Sequence, residues 1–155
     1  MKILFVCLGN ICRSPLAEAI FNDLLEKKGL TEKYLCDSAG TASYHIGKQP
    51  DNRTIEVAEK NNVPINHRAR QFTKTDFNNF DLIIAMDRNN LRDIDMLKPY
   101  GVKAKVKLMR NFDNQLEQMD VPDPYYGNMN DFNEVYEILK TCCENLIHKL
   151  ENDVI

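Results

Sequence analysis

The sequence predicts an α/β fold, a three-layer sandwich in which a four-stranded parallel sheet carries helices on both faces. Three observations lead there. Two continuous apolar runs, Ile3-Leu4-Phe5-Val6 and Leu82-Ile83-Ile84-Ala85-Met86, have the pattern of strands buried on both faces. Strand patterns alternate with helix patterns along the chain, which implies parallel crossovers. The length of 155 residues fits one domain spanning 1–155, whereas two independent cores would be undersized.

The elements follow in order. After the strand at Ile3–Val6 comes a Gly/Asn segment, and Ser14-Pro15 then opens a helix, with Ser suited to the N-cap and Pro to the first turn. Leu16, Ala17, Ile20, Phe21, Leu24 and Leu25 form one apolar stripe on that helix, and Gly29 closes it as a C-cap. A second strand is expected over Tyr34–Asp37, then a loop from Ser38 to His45 and a short helix over Arg53–Lys60. Leu82–Met86 is the next strand and leads into a helix that reaches about Lys98. Lys103–Leu108 alternates Lys with apolar residues and suits an edge strand. Phe132, Val135, Tyr136, Leu139, Cys142, Cys143, Leu146, Ile147 and Leu150 then mark a C-terminal helix.

Composition narrows the function. Hydrophobic residues at 43% and charged residues at 28% are a globular balance, so wholesale disorder is excluded. The net charge of −3 argues against a nucleic-acid partner, whose phosphates demand a basic face, yet it permits a small, locally positive anion site. No stretch approaches the ~20 apolar residues of a membrane span, so no membrane partner is expected. Five cysteines, an odd number, with no visible export signal, indicate thiols in a reducing compartment and a cytoplasmic protein.

The chemistry concentrates between the first strand and first helix, in Cys7-Leu8-Gly9-Asn10-Ile11-Cys12-Arg13-Ser14. Ligands of open α/β sheets bind beyond the carboxyl ends of strands, and a loop curling into a helix N-terminus aims several N–H groups at one point. Gly9 and Asn10 are residue types that tolerate a left-handed backbone. Arg13 adds a planar fork for two phosphate oxygens. The field that binds an oxyanion also favours thiolate over thiol, so Cys7 at the floor of the cradle becomes a nucleophile placed for in-line attack. A zinc site on Cys7 and Cys12 lacks a second ligand pair, and a nucleotide phosphate loop lacks its Gly-Lys-Ser/Thr ending. Cys36, Cys142 and Cys143 read as core residues.

Cys7-Leu8-Gly9-Asn10-Ile11-Cys12-Arg13-Ser14-Pro15 resembles the signature of the low-molecular-weight protein tyrosine phosphatases. Asp123-Pro124-Tyr125-Tyr126 resembles that family's general-acid loop, and Asp37-Ser38-Ala39-Gly40, Ala85-Met86-Asp87 and the C-terminal helix are also similar. The likeness covers essentially the whole chain. It implies hydrolysis of phosphotyrosine in proteins, and of small aryl phosphates, through a phosphocysteine on Cys7. By the same resemblance Arg13 and the amides of Leu8, Gly9, Asn10, Ile11, Cys12 and Ser14 hold phosphate, and Asp123 is the general acid and base. Ser14 would donate to the thiolate, while Ser38 and His67 fix Asn10 and Asp87 orients Arg13. Tyr44, Tyr125 and Tyr126 would wall the ring site, with Leu8 and Ile11 at its rim. No metal and no cofactor is implied. The expected partners are phosphotyrosine proteins or peptides, with the chain a monomer or at most a weak dimer. Cys12 would either pack beneath the loop or protect oxidised Cys7 as a disulfide, the pairing that the resemblance supports.

Three other functions compete. A thioredoxin-coupled arsenate reductase on this scaffold resembles a relay through two further cysteines after the central strand, and Leu82–Arg92 contains none. Protein arginine phosphatases resemble this chain but look to carry Thr where Ile11 stands and to lack the paired tyrosines after Asp-Pro. A non-catalytic anion-binding module fits poorly with an intact nucleophile, arginine and acid.

Overall fold

A computed structural model describes residues 1–116 and 119–155. Four strands, β1 (Lys2–Cys7), β2 (Leu35–Gly40), β3 (Leu82–Ala85) and β4 (Lys105–Leu108), form one sheet in the order β2-β1-β3-β4, with every neighbouring pair parallel. The helices are α1 (Arg13–Lys28), α2 (Asn52–Lys60), α3 (Asp76–Asn79), α4 (Arg88–Leu97) and α5 (Met129–Glu151), with a 3₁₀ turn at Met109–Phe112.

The pleat sorts the apolar run of β1 onto two faces. Ile3 and Phe5 face α1, α2 and α5 in a core with Phe21, Leu25, Val57, Leu139 and Leu146. Leu4 and Val6 face the opposite layer, packed with Phe72, Phe77, Ile83 and Ile94. Phe5 and Phe21 meet edge to face at 5.6 Å, and each buried ring contributes roughly 2–3 kcal/mol by burial alone. The three-layer, four-stranded parallel sandwich expected from the sequence is therefore the observed fold, with β4 at an edge.

Three local expectations are corrected. β2 does not stop at Asp37 but runs on through Ser38-Ala39-Gly40, so that Gly40 pairs with Cys7 at the carboxyl end of the sheet. Those small residues looked like loop, yet they are small because the loop after β1 folds over them. A Cβ on Gly40 would lie 2.7 Å from the Leu8 carbonyl oxygen. Ser14 is not the N-cap of α1, which begins at Arg13 after Cys12, and its hydroxyl is used elsewhere. α3 and the 3₁₀ turn, four residues each, were not anticipated because neither is long enough to show a period. The left-handed Gly29 does cap α1, at φ +66°.

Candidate functional site

The loop from Cys7 to Ser14 leaves the carboxyl end of β1 and enters α1. Its shape follows from where its carbonyls go. The carbonyls of Cys7 and Leu8 accept from the amides of Thr41 and Ala42, each at 2.9 Å, and that of Ile11 accepts from Asp51 at 2.8 Å. Thr54 Oγ1 reaches the Cys12 carbonyl at 3.5 Å. Peptide planes whose oxygens are drawn outward turn their N–H groups inward, toward Cys7. The left-handed residue in this curl is Asn10, at φ +57°. Gly9 serves a different need than expected: the His45 ring lies against it, and a Cβ there would sit 2.9 Å from His45 Cδ2.

Cys7 is 3% exposed at the centre of the curl. Its sulfur accepts from the Asn10 amide at 3.3 Å and lies 2.9 Å from Ser14 Oγ. Asn10 Nδ2 donates to Ser14 Oγ at 2.8 Å, which leaves the hydroxyl proton of Ser14 for the sulfur or, at 3.4 Å, the Ala39 carbonyl. The same amide group donates to Ser38 Oγ at 3.0 Å, while Asn10 Oδ1 faces His67 Nε2 at 2.7 Å and accepts from the Arg70 amide at 3.0 Å. Ser38 donates onward to Glu18 Oε2 at 2.6 Å, and His67 Nδ1 stands 3.1 Å from the same oxygen. Both polar groups of the Asn10 side chain and its backbone N–H are thus committed, and its left-handed conformation is over-determined. Glu18 was not singled out in the sequence. Its signal was the four-residue spacing from Ser14, which stacks the two on one face of α1.

Arg13, 2% exposed, donates from NH1 to Asp87 Oδ2 at 2.6 Å and to the Val121 carbonyl at 3.0 Å. Its NH2 stands 3.5 Å from Asp123 Oδ2, and its buried Nε has no partner among the described residues. Asp87 serves two elements, because its other oxygen accepts from the Asn90 amide at 2.7 Å as the N-cap of α4. Burial works against the charge of Arg13, yet Cys7, Asp87 and Asp123 together hold its pKa above the ordinary arginine value. Cys12 is pushed up to about 12, mainly by burial, with Asp51, Cys7 and Asp123 adding to it.

Across the cradle, Asp123 is 44% exposed at its side chain and accepts from the Tyr125 amide at 3.1 Å. Cys7, Leu8, Gly9, Ile11, Cys12, Arg13, Tyr44, His45, Asp123, Tyr125 and Tyr126 line one cavity of about 260 Å³. The structure therefore brings the expected nucleophile, arginine, acid and three tyrosines to one place. Tyr125 and Tyr126 meet edge to face at 4.9 Å, and Tyr126 stands 95% exposed at the rim. Ser38, His67 and Asp87 lie behind the loop as support. A larger cleft of about 770 Å³, between Phe77, Tyr100 and Lys105, lies at the other end of the strands and holds none of these residues.

Metal-ligand chemistry converges at one cluster among the described residues, Glu18, Asp37 and His67, whose donor atoms lie within 4.8 Å of one another. Each carboxylate there already has work: Glu18 on Ser38 and His67, Asp37 on Arg70 at 2.9 Å. The cluster is a hydrogen-bond relay to Asn10.

Fold and site together put a buried cysteine, an arginine and an exposed carboxylate around one cavity at the carboxyl edge of a parallel sheet. The sequence pattern of the family described as low molecular weight phosphotyrosine protein phosphatase matches residues 2–155, and the chain belongs to that family. It is 44% identical over 150 residues to the low molecular weight phosphotyrosine protein phosphatase of Homo sapiens, covering 96% of this chain and 94% of the human one. The crystal structure of a protein tyrosine phosphatase from Entamoeba histolytica, with Hepes in its active site, superposes with a TM-score of 0.95 at 46% identity, covering 100% of this chain and 99% of that one. The Drosophila arginine phosphatase superposes at 0.92 with 33% identity, over 97% and 98% of the two chains.

Proposed function

We propose that this chain, acting as one domain over 1–155, hydrolyses phosphotyrosine in proteins, and small aryl phosphates, through a phosphocysteine intermediate. The observation that carries the reading is the buried Cys7 Sγ, accepting from the Asn10 amide at 3.3 Å in the cavity that Arg13 and Asp123 also line, those two standing 3.5 Å apart. In the first step a sulfur–phosphorus bond forms on Cys7 as the phosphorus–phenolate bond breaks, and the Asp123 carboxyl gives its proton to the departing oxygen. In the second, a water oxygen bonds to phosphorus, its proton returns to Asp123, and the sulfur leaves while Ser14 stabilises it by a hydrogen bond. Arg13 Nε and NH2, with the amides from Leu8 to Ser14, hold the equatorial oxygens throughout. No metal takes part in this scheme.

Tyr44, Tyr125 and Tyr126 give the cavity aromatic walls suited to a phenyl ring, and the depth of Cys7 favours phosphotyrosine over the shorter phosphoserine. Arginine phosphatase activity is the rival reading, since the Drosophila enzyme of that name shares the fold. Ile11 and the paired tyrosines favour the aryl substrate. The five cysteines are all free, which suits a reducing compartment such as the cytoplasm; no helix among the described residues is long and apolar enough to cross a membrane. The test is turnover of a matched panel of phosphotyrosine, phosphoserine and phosphoarginine peptides, with and without chelator. Phosphotyrosine should dominate and chelator should change nothing; faster release from phosphoarginine would replace this reading with its rival.

A further inference from the structure

The loop bearing Asp123 is exposed, and the start of α2 provides a bracket for it. Asp51, the N-cap of α2, accepts from the Arg53 amide at 2.9 Å, and its own amide donates to the Ile11 carbonyl of the phosphate loop. Thr54, one residue beyond Arg53, reaches the Cys12 carbonyl. Residues 51–54 are therefore fastened to the loop that carries the nucleophile.

From that anchorage Arg53 reaches across. Asp51 grips its guanidinium in a fork, with Nε at 3.0 Å and NH2 at 2.9 Å, so the group is oriented before it meets anything else. The group also lies over the Phe132 ring of α5 at 4.4 Å. Its free edge donates to the Tyr125 carbonyl at 2.9 Å and the Gly127 carbonyl at 3.1 Å, two and four residues beyond Asp123. Between those carbonyls the Gly127 amide closes a turn onto Pro124 at 2.9 Å.

We infer that Arg53 is a positioning residue that sets the distance between Asp123 and Cys7, by tying the acid loop to the helix start that also holds the phosphate loop. This rests on the proposed roles of Cys7 and Asp123. General acid catalysis is steep in geometry, because a displaced carboxyl must still reach the leaving oxygen within hydrogen-bond range. Loss of Arg53 should therefore be felt where the proton matters and spared where it does not. Lysine cannot replace it fully, since one ammonium lacks the planar fork that spans Asp51 and two carbonyls.

The experiment measures kcat/KM for phenyl phosphate, a poor leaving group, and p-nitrophenyl phosphate, an activated one, in wild type, Arg53→Ala, Arg53→Lys, Asp123→Asn and Arg53→Ala/Asp123→Asn. Arg53→Ala should lose about tenfold on phenyl phosphate and under about threefold on the activated ester, with Arg53→Lys between it and wild type. Added to Asp123→Asn, it should cost less than about twofold more, because the acid it positions is already gone. Equal losses on both esters, or a full tenfold loss in the Asp123→Asn background, would overturn the inference. A second readout needs no turnover: amide hydrogen exchange at Tyr125 and Gly127 should accelerate in Arg53→Ala, and unchanged exchange there overturns it equally. Wild type inactive on both esters would instead remove the phosphatase reading, leaving the exchange result to judge the bracket.

Discussion

The loop around Cys7 and the loop around Asp123 meet at one cavity but are held by different means. The first is fixed by its own backbone: four carbonyls are pinned outward by neighbouring segments, Asn10 is locked by four partners, and Gly40 closes it from below. The second is exposed around Asp123 and, beyond the Val121 amide on the Met86 carbonyl and the Arg88 amide on Asp120, is held by long cationic side chains from other elements. Arg88 and Arg110 hold Asp120, Arg13 holds Val121, and Arg53 holds Tyr125 and Gly127. Backbone networks in a dry interior tolerate no substitution gracefully, whereas a loop on several separate tethers loosens by degrees. Damage to the Cys7 loop should be close to all-or-none, and damage to the Asp123 loop graded.

The largest effect expected is at Cys7, the proposed nucleophile. Cys7→Ser should lower turnover by at least ~10⁴-fold while an oxyanion of phosphate size still binds weakly. Steady-state kinetics with vanadate titration checks this, and substantial residual hydrolysis would remove the phosphocysteine step. Next comes Asp123→Asn, which should slow phenyl phosphate by about 10²- to 10³-fold and p-nitrophenyl phosphate much less. Parallel losses on the two esters would make Asp123 structural and the acid another group.

Gly40→Ala probes the contrast from beneath the loop. The added Cβ would press on the Leu8 carbonyl oxygen and on the Asn10 amide, 3.1 Å away, so either β2 or the loop must move. Overpacking of this kind costs about 1–3 kcal/mol, or roughly 3–10 °C in melting temperature for a domain of this size. Competitive inhibition by inorganic phosphate should weaken about tenfold or more with it. Retained phosphate affinity alongside a lowered melting temperature would show that the loop adapts and is less rigid than its hydrogen bonds imply.

The smallest effect is conditional on oxidation. Sulfenic acid on Cys7 can be captured by Cys12 only as thiolate, and burial holds Cys12 near 12. Below that value its thiolate fraction rises about tenfold per pH unit, so trapping as a Cys7–Cys12 disulfide should speed up from pH 7 to pH 9. Dithiol should then restore activity in wild type and restore it poorly in Cys12→Ser. Mass spectrometry after peroxide, at several pH values, measures the bond; its absence throughout leaves Cys12 a packing residue.

What was legible in the sequence divides along the same line. Local patterns showed β1, the cradle, α1, β3 and α5, because apolar runs and helical stripes are written in consecutive residues. Cys7, Asn10 and Arg13 were legible because a loop between strand and helix brings its chemistry together within eight positions, whereas the place of Ser14 beside the sulfur came from resemblance. Asp123 needed resemblance, since a Pro-bracketed carboxylate by itself is an ordinary turn. Glu18, Asp51, Arg53 and the Val121 carbonyl were not legible, for they act on partners far along the chain and look like helix surface or loop. Ser14 looked like an N-cap because Ser before Pro usually is one; here its hydroxyl is drawn to the sulfur and the Asn10 amide instead. β2 was cut short for a tertiary reason, as its small terminal residues are shaped by the loop lying on them.

The outward-turned carbonyls of the cradle carry a consequence for the newborn chain. Cys7 leaves the ribosome ahead of the groups that curl its loop: Thr41 and Ala42 follow, then Asp51, then His67 and the Arg70 amide. β1 lies in mid-sheet, and its second neighbour, β3, begins only at Leu82. Until those segments emerge, Cys7 lies on an unpaired strand, with neither the curled loop nor Asp123 around it. The proposed nucleophile is thus synthesised more than a hundred residues before its proposed proton donor at Asp123, and the chemistry proposed for the pair waits until both loops have emerged.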